Sequence, residues 1–220
     1  MFMHEDFWLP DGEQHWLQAN LADYQSAGRR AAYKYVKDWR RALDIGGNIG
    51  IFARAFSDYF GEVVSFEPVP GIRECLVRNV PKTVVVQPYA LADQPGELIM
   101  HQLTKGSGGS FIANHPGIAT PTNEMPVGRK AVPVEVRTID SFEYDSVGLM
   151  KLDIQGAEYL ALLGAQETIT RCRPVIILEE KPRPGDDLDA QNAHKAAELL
   201  VSLGMTPKEK PGGDRIYIFE

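Results

Sequence analysis

Short apolar runs and helix-period stripes alternate along almost the whole chain. Ala42 to Ile45, Val63 to Phe66, Thr83 to Val86, Leu149 to Ile154 and Val175 to Leu178 are brief and rich in branched aliphatics, as buried strands are. Between them apolar residues return every three or four positions: Ile49, Phe52, Ala53 and Phe56, then a stretch at about 70–79. Leu160, Leu163 and Ile169 continue the pattern, followed by Leu188, Ala196, Leu199, Leu200 and Leu203 within 188–203. That period is a helix with one face on a sheet. Ala32, Tyr35, Val36 and Trp39 make another stripe, predicting a helix over 21–39. Strands alternating with helices predict an α/β fold with a mostly parallel sheet and helices on both faces. Residues 96–102 and 132–137 alternate like strands. Met205 to Lys210 and Arg215 to Phe219 flank Pro211-Gly212-Gly213-Asp214, which predicts a closing antiparallel β-hairpin.

No repeat, low-complexity tract or linker breaks this pattern, so residues 1–220 read as a single domain. Residues 1–40 form its N-terminal arm and helix. The arm is expected to be irregular, with Phe2, Phe7, Trp8 and Trp16 packed on the domain or, alternatively, lining an acceptor pocket. Residues 94–137 are an insertion holding Gly106-Ser107-Gly108-Gly109-Ser110 and a Pro/Gly/Asn-rich run. A loop of this length is usually functional or mobile, and it reads as a lid. His101 and His115 fall in it, each a candidate general base or a plain surface histidine.

Composition narrows the function classes. The chain is 44% hydrophobic and 24% charged, which argues against disorder. A net charge of -7 argues against nucleic-acid binding through general charge attraction. The cluster Arg29, Arg30, Lys34, Lys37, Arg40 and Arg41 reads as a solvated helix face; an anionic acceptor is the sharper alternative. Cys75 and Cys172 suggest free, buried thiols in a reducing compartment. Met1 to Pro10 lacks a signal pattern, and no apolar run approaches the roughly 20 residues that span a bilayer. A cytoplasmic protein without membrane contact is expected.

The chemistry gathers at strand ends. After the first apolar strand comes Asp44-Ile45-Gly46-Gly47-Asn48-Ile49-Gly50, and then a helix. The dinucleotide spacing G-x-G-x-x-G fails here, because Asn48 or Ile49 occupies the third position. The pattern resembles motif I of class I S-adenosylmethionine (SAM) methyltransferases, with Asn48, which tolerates positive φ, at the middle glycine. An acid near this strand end would help neutralise the methionine ammonium; a plain tight turn is the alternative. Glu67 ends the second strand 23 residues after Asp44, 67 − 44, close to the spacing at which an acid grips ribose hydroxyls. Pro68 stops that strand. Asp153 ends the fourth strand of the sheet, and in this topology ligands sit outside the carboxyl ends of strands.

Four segments taken together resemble the FkbM family of SAM-dependent methyltransferases: the glycine turn, Phe66-Glu67-Pro68, Ala90-Leu91-Ala92-Asp93, and Lys151-Leu152-Asp153-Ile154-Gln155-Gly156-Ala157-Glu158. The resemblance covers about residues 41–180 and implies a Rossmann-like class I methyltransferase fold with a seven-stranded sheet, whose last two strands the C-terminal hairpin matches. It implies SAM as cofactor, with Asp44, Gly46, Gly47, Asn48, Gly50, Glu67, Pro68, Leu91, Ala92, Asp93 and Asp153 around it. Asp93 is then a candidate reader of the adenine amino group, or a turn cap. The implied reaction is O-methylation of a sugar or natural-product hydroxyl. Asp153 is the first candidate for base or acceptor orienter, with a helix N-cap as its structural alternative, and Glu179 is the second. Asp153 with Glu179 or Glu180 would also offer oxygen ligands for magnesium, a less favoured reading. Gln155 stands where the family usually has Glu, which puts any metal or base role of that position in doubt. A non-catalytic module binding a nucleoside-type ligand or a partner on a degenerated methyltransferase fold is the competing function.

Overall fold

A computed structural model describes residues 1–112, 127–182 and 186–220. The chain opens with a hairpin, β1 (Phe2–His4) and β2 (Phe7–Leu9), turned through left-handed Glu5 and Asp6. The arm is therefore partly regular where an irregular segment was expected. A 3-10 turn at Trp16–Gln18 leads to α1, which spans only Ser26–Tyr33. The predicted helix over 21–39 stops early because Trp39 and Arg40 are drawn into strand-like pairing: their carbonyls accept from Gly61 and Glu62 at 2.9 and 2.8 Å. The basic cluster is broken up accordingly. Arg29 is buried against the Tyr24 carbonyl, Arg40 pairs with Asp38, and Arg41 pairs with Glu62 and Asp145.

Next come β3 (Arg41–Ile45), α2 (Ile51–Phe56), β4 (Glu62–Phe66), α3 (Pro70–Asn79) and β5 (Val84–Gln87). Pro70 sits in the first turn of α3, where its missing N–H costs nothing. The insertion is built on β6 (Ala90–Leu91), β7 (Gly96–Leu103), β8 (Phe111–Ile112) and β9 (Arg129–Arg137). The chain then re-enters the main sheet through β10 (Leu149–Leu152), α4 (Glu158–Leu163), α5 (Gln166–Cys172) and β11 (Val175–Glu179). One continuous helix was expected after β10. It divides at Gly164, where an added Cβ would lie 2.2 Å from the Ala92 carbonyl oxygen. Helix α6 (Asp187–Ser202) is capped by the Asp186 side chain and carries Asp187 and Asp189 in its first turn, where negative charge is favoured. β12 (Thr206–Pro207) and β13 (Asp214–Ile218) close the chain as the expected hairpin.

The central sheet has seven strands in the order β12-β13-β11-β10-β3-β4-β5. β13 pairs antiparallel with both neighbours, while β11, β10, β3, β4 and β5 are parallel. The chain steps outward from β3 through β4 and β5, then returns to the other side of β3 at β10. The boundary between β3 and β10 is thus the topological switch point, with both strands pointing their carboxyl ends the same way. One face is filled by Ala161, Leu162, Ile169, Ala196 and Leu200 of α4–α6. The other is filled by Ala31 and Ala32 of α1 and by Ala53 and Phe56 of α2. The insertion forms a separate four-stranded sheet, β6-β9-β7-β8, whose Met100, Ile112, Val134 and Val136 pack with the N-terminal arm. No helix among the described residues is long and apolar enough to cross a membrane. Both cysteines are free, Cys75 buried as expected and Cys172 only half-buried.

Candidate active site

The glycine turn is tied to the strands on both sides. Gly46 and Gly47 both donate to the Phe66 carbonyl, at 3.1 and 2.9 Å, and Asp153 N donates to the Ile45 carbonyl at 3.1 Å. Gly46 has φ +88°, and a Cβ there would stand 2.1 Å from the Asp153 carbonyl oxygen. A Cβ on Gly47 would meet Ser65 Oγ at 2.1 Å. Both glycines are therefore required by neighbouring protein, not only by ligand approach. Asn48 takes a left-handed φ of +46°. Its N–H donates to Glu67 Oε2 at 3.0 Å and its side-chain amide donates to the Ser107 carbonyl at 3.1 Å, linking turn, strand end and insertion.

Above this turn lies a cavity of about 440 Å³, within the range of small-molecule sites. Phe66, Glu67, Pro68, Ile72, Tyr89 and Leu91 line one side. Asp153, Gln155, Glu179 and Lys181 line the other, with Gly46, Gly47 and Asn48 between. His15, Trp16 and Tyr24 from the arm and Ser107 to Ser110 from the insertion complete the wall. Arm and insertion are fastened by Glu13, a buried carboxylate that accepts from Ser107 N and Oγ at 2.7 and 2.9 Å, while Trp16 Nε1 donates to Ser107 Oγ at 2.8 Å.

Several expected site residues stand elsewhere. Asp44 is buried beneath the turn, accepts from Ser65 Oγ at 2.8 Å and does not line the cavity. Burial pushes its carboxyl up to about 6. Gly50, at φ +90°, caps α2. Ala92 is buried against Gly164, and Asp93 follows it outside the cavity wall. Glu180 points away, held by Lys210, Arg215 and Tyr217. His101 lies on β7 outside the wall, and burial lowers its pKa; His115 lies outside the described residues. Of the arm's aromatics, Trp16 lines the cavity, whereas Phe2, Phe7 and Trp8 do not. Asp153 is not the N-cap of α4: Ala157 holds that position, and Glu158 satisfies Ile154 N and Gly156 N.

The sequence reading missed Tyr24 and the charges behind Asp153. Lys151 is fully buried, with Nζ 3.1 Å from Asp153 Oδ2, 3.5 Å from Asp214 Oδ2 and 5.0 Å above the Phe52 ring. A charged lysine inside an apolar strand was the available signal, since such a charge must be paired. Gln155 Nε2 donates to Asp153 Oδ1 and Glu179 Oε2, each at 3.2 Å. Burial alone would raise Asp153, but Lys151 and these hydrogen bonds hold it below the ordinary carboxylate value. Glu179 is pushed up to about 10 by burial and by the Asp153 charge beside it. The two acids therefore ionise as a pair in two separated steps. Glu67, whose carboxylate oxygens take Asn48 N and Val69 N, is pushed up to about 7 by burial.

The site suits a polar small molecule. Asn48 Oδ1 and Ser110 Oγ are buried in its wall without a partner among the described residues. A divalent metal at Asp153 would have to compete with the Lys151 ammonium, which lies 3.1 Å from its Oδ2. Among the described residues no group of three or more His, Cys, Asp or Glu side chains is arranged to hold a metal ion.

Comparison with known proteins places this geometry in context. The family model described as the methyltransferase FkbM domain matches residues 44–204. No curated protein matches the chain in sequence. The methyltransferase FkbM from Methylobacillus flagellatus KT superposes with a TM-score of 0.51 at 16% identity, covering 86% of this chain and 50% of that one. The chain thus spans half the length of that protein. A putative rRNA-methylase from Clostridium thermocellum gives a TM-score of 0.51 at 10% identity over 89% and 95% of the two chains. Precorrin 8w decarboxylase of Methanobacterium thermoautotrophicum gives 0.54 at 10% identity over the full length of both. At these identities the likeness is one of fold, and the fold is the Rossmann-like one expected.

Proposed function

The chain belongs to the FkbM methyltransferase family, and from that premise we propose that it transfers a methyl group from SAM to a hydroxyl of a sugar or natural-product acceptor. The observation that carries this reading is one cavity lined by Glu67 among apolar residues on one side and by Asp153 and Glu179 on the other, joined by the glycine turn at the switch point. Bound SAM supplies an activated methyl group on a sulfonium. Glu67 is suited to hold a ribose diol, because each of its oxygens keeps a lone pair beyond the one its backbone N–H partner uses. Phe66, Ile72, Tyr89 and Leu91 offer an apolar slot for adenine. Asp153 is ionised and faces the cavity with 27% of its side chain exposed, so it can orient an acceptor hydroxyl and take its proton as the oxygen attacks. Trp16 and the 107–110 segment exclude water from that step.

The test is calorimetric titration with SAM and with its demethylated product, S-adenosylhomocysteine. Binding of both is expected. Failure of both to bind would sink the enzyme reading in favour of the non-catalytic module.

A further inference from the structure

The fully buried Lys151 lies between two acids of different origin. Asp153 lies just past the end of the strand that holds Lys151, and Asp214 opens β13, beyond the 44–204 segment matched by the family model. β13 pairs with β11 so that Asp214 stands directly opposite Glu179. Asp214, Glu179 and Asp153 thus come from three adjacent strands to one ammonium. Asp214 is itself buried, and burial raises its carboxyl. A buried carboxylate in a tight hairpin turn is costly unless it is paired, and Lys151 is the cation it meets.

We propose that Asp214 is a positioning residue for the transfer site: it shares the buried Lys151 ammonium with Asp153 and so sets how strongly that ammonium holds the Asp153 and Glu179 carboxyls. The proposal rests on the methyltransferase reading above for its consequence, but not for its test. With Asp214 present, Lys151 divides its charge between two carboxylates, and Asp214 adds its own negative charge beside the pair. Without that charge Lys151 acts on Asp153 and Glu179 alone, and the second carboxylate of the pair ionises more easily. The other groups facing the pair keep their places: Tyr24 from the arm, Asp44 on β3, Glu158 on α4 and Lys181 after β11.

The experiment is a ¹³C carboxyl NMR titration of the full chain, following Glu179 in wild type, Asp214→Asn and Asp214→Glu, with SAM titrated into each. In Asp214→Asn the pH at which Glu179 loses its proton should fall by about one unit. In Asp214→Glu it should return toward wild type. SAM affinity should stay within about twofold in both, since Asp214 does not line the cavity. Asp214→Ser makes the same charge change and replaces the asparagine variant if that one does not fold. An unmoved Glu179 titration, or an equal shift in Asp214→Asn and Asp214→Glu, would overturn the proposal. Absence of SAM binding in wild type would instead overturn the enzyme reading and leave the titration result standing.

Discussion

Glu67 and Asp153 are both carboxylates just past the ends of parallel strands that flank β3, and both line one cavity. Their chemistry diverges. Glu67 is partnered by two backbone N–H groups and is raised to about 7 because burial outweighs them. Asp153 has an ammonium at 3.1 Å and is held low. A cation 3 Å away offsets desolvation where neutral donors do not. One strand position therefore carries an acid raised by burial, and the other an acid held low by a neighbouring cation. Pairs of titratable groups driven apart in this way mark a division of roles.

The largest effect should come from the joint between the two sides. Gly46→Val puts a branched side chain at φ +88° against the Asp153 carbonyl. It should cost about 3 kcal/mol or more and abolish cofactor binding. Thermal melting followed by far-UV circular dichroism is the check, and a wild-type melting temperature would show that the strand ends can part.

Asp153→Asn keeps the shape and removes the charge. Turnover in a single-turnover assay should fall by about 10²–10⁴ while SAM affinity changes little. Near-normal turnover would pass the proton to Glu179. On the opposite side, Glu67→Ala should leave chemistry on bound cofactor intact but weaken SAM binding by about 2–4 kcal/mol. Unchanged affinity by calorimetry would place Glu67 outside the cofactor contacts.

The smallest effect is on stability. Asp44, Glu67 and Glu158 all have folded pKa values raised by burial, to about 6, 7 and 7. Raised carboxylates favour the folded state fully below their unfolded values, and that contribution is lost as pH rises through 6 to 7. The protein without ligand should melt higher at pH 5 than at pH 8, and Glu67→Gln should remove a share of at most about 3 kcal/mol. Asp153 works in the opposite sense but only at more acid pH, where its depressed pKa lies. A melting temperature that rises between pH 5 and pH 8 would show that these carboxyls are better solvated than the cavity implies.

Local pattern alone determined the strand–helix alternation, the Gly46-Gly47-Asn48 turn and the placing of Glu67 and Asp153 at strand ends. Each depends on residues a few positions apart, where hydrophobic period and backbone preference act directly. The same reasoning overextended α1, because the pairing of Trp39 and Arg40 with the chain entering β4 is not a local property. It could not see that Asp44 is sealed under the turn while Asp153 faces the cavity, since both are acids on apolar strands. Nor could it find the Lys151–Asp214 pair or the seating of Trp16 on Ser107, which join residues 63 and 91 positions apart. Those contacts, and the burial that raises Asp44, Glu67 and Glu179, were decided by the tertiary structure. Desolvation and charge pairing depend on what surrounds a group in space, and the sequence lists only its neighbours along the chain.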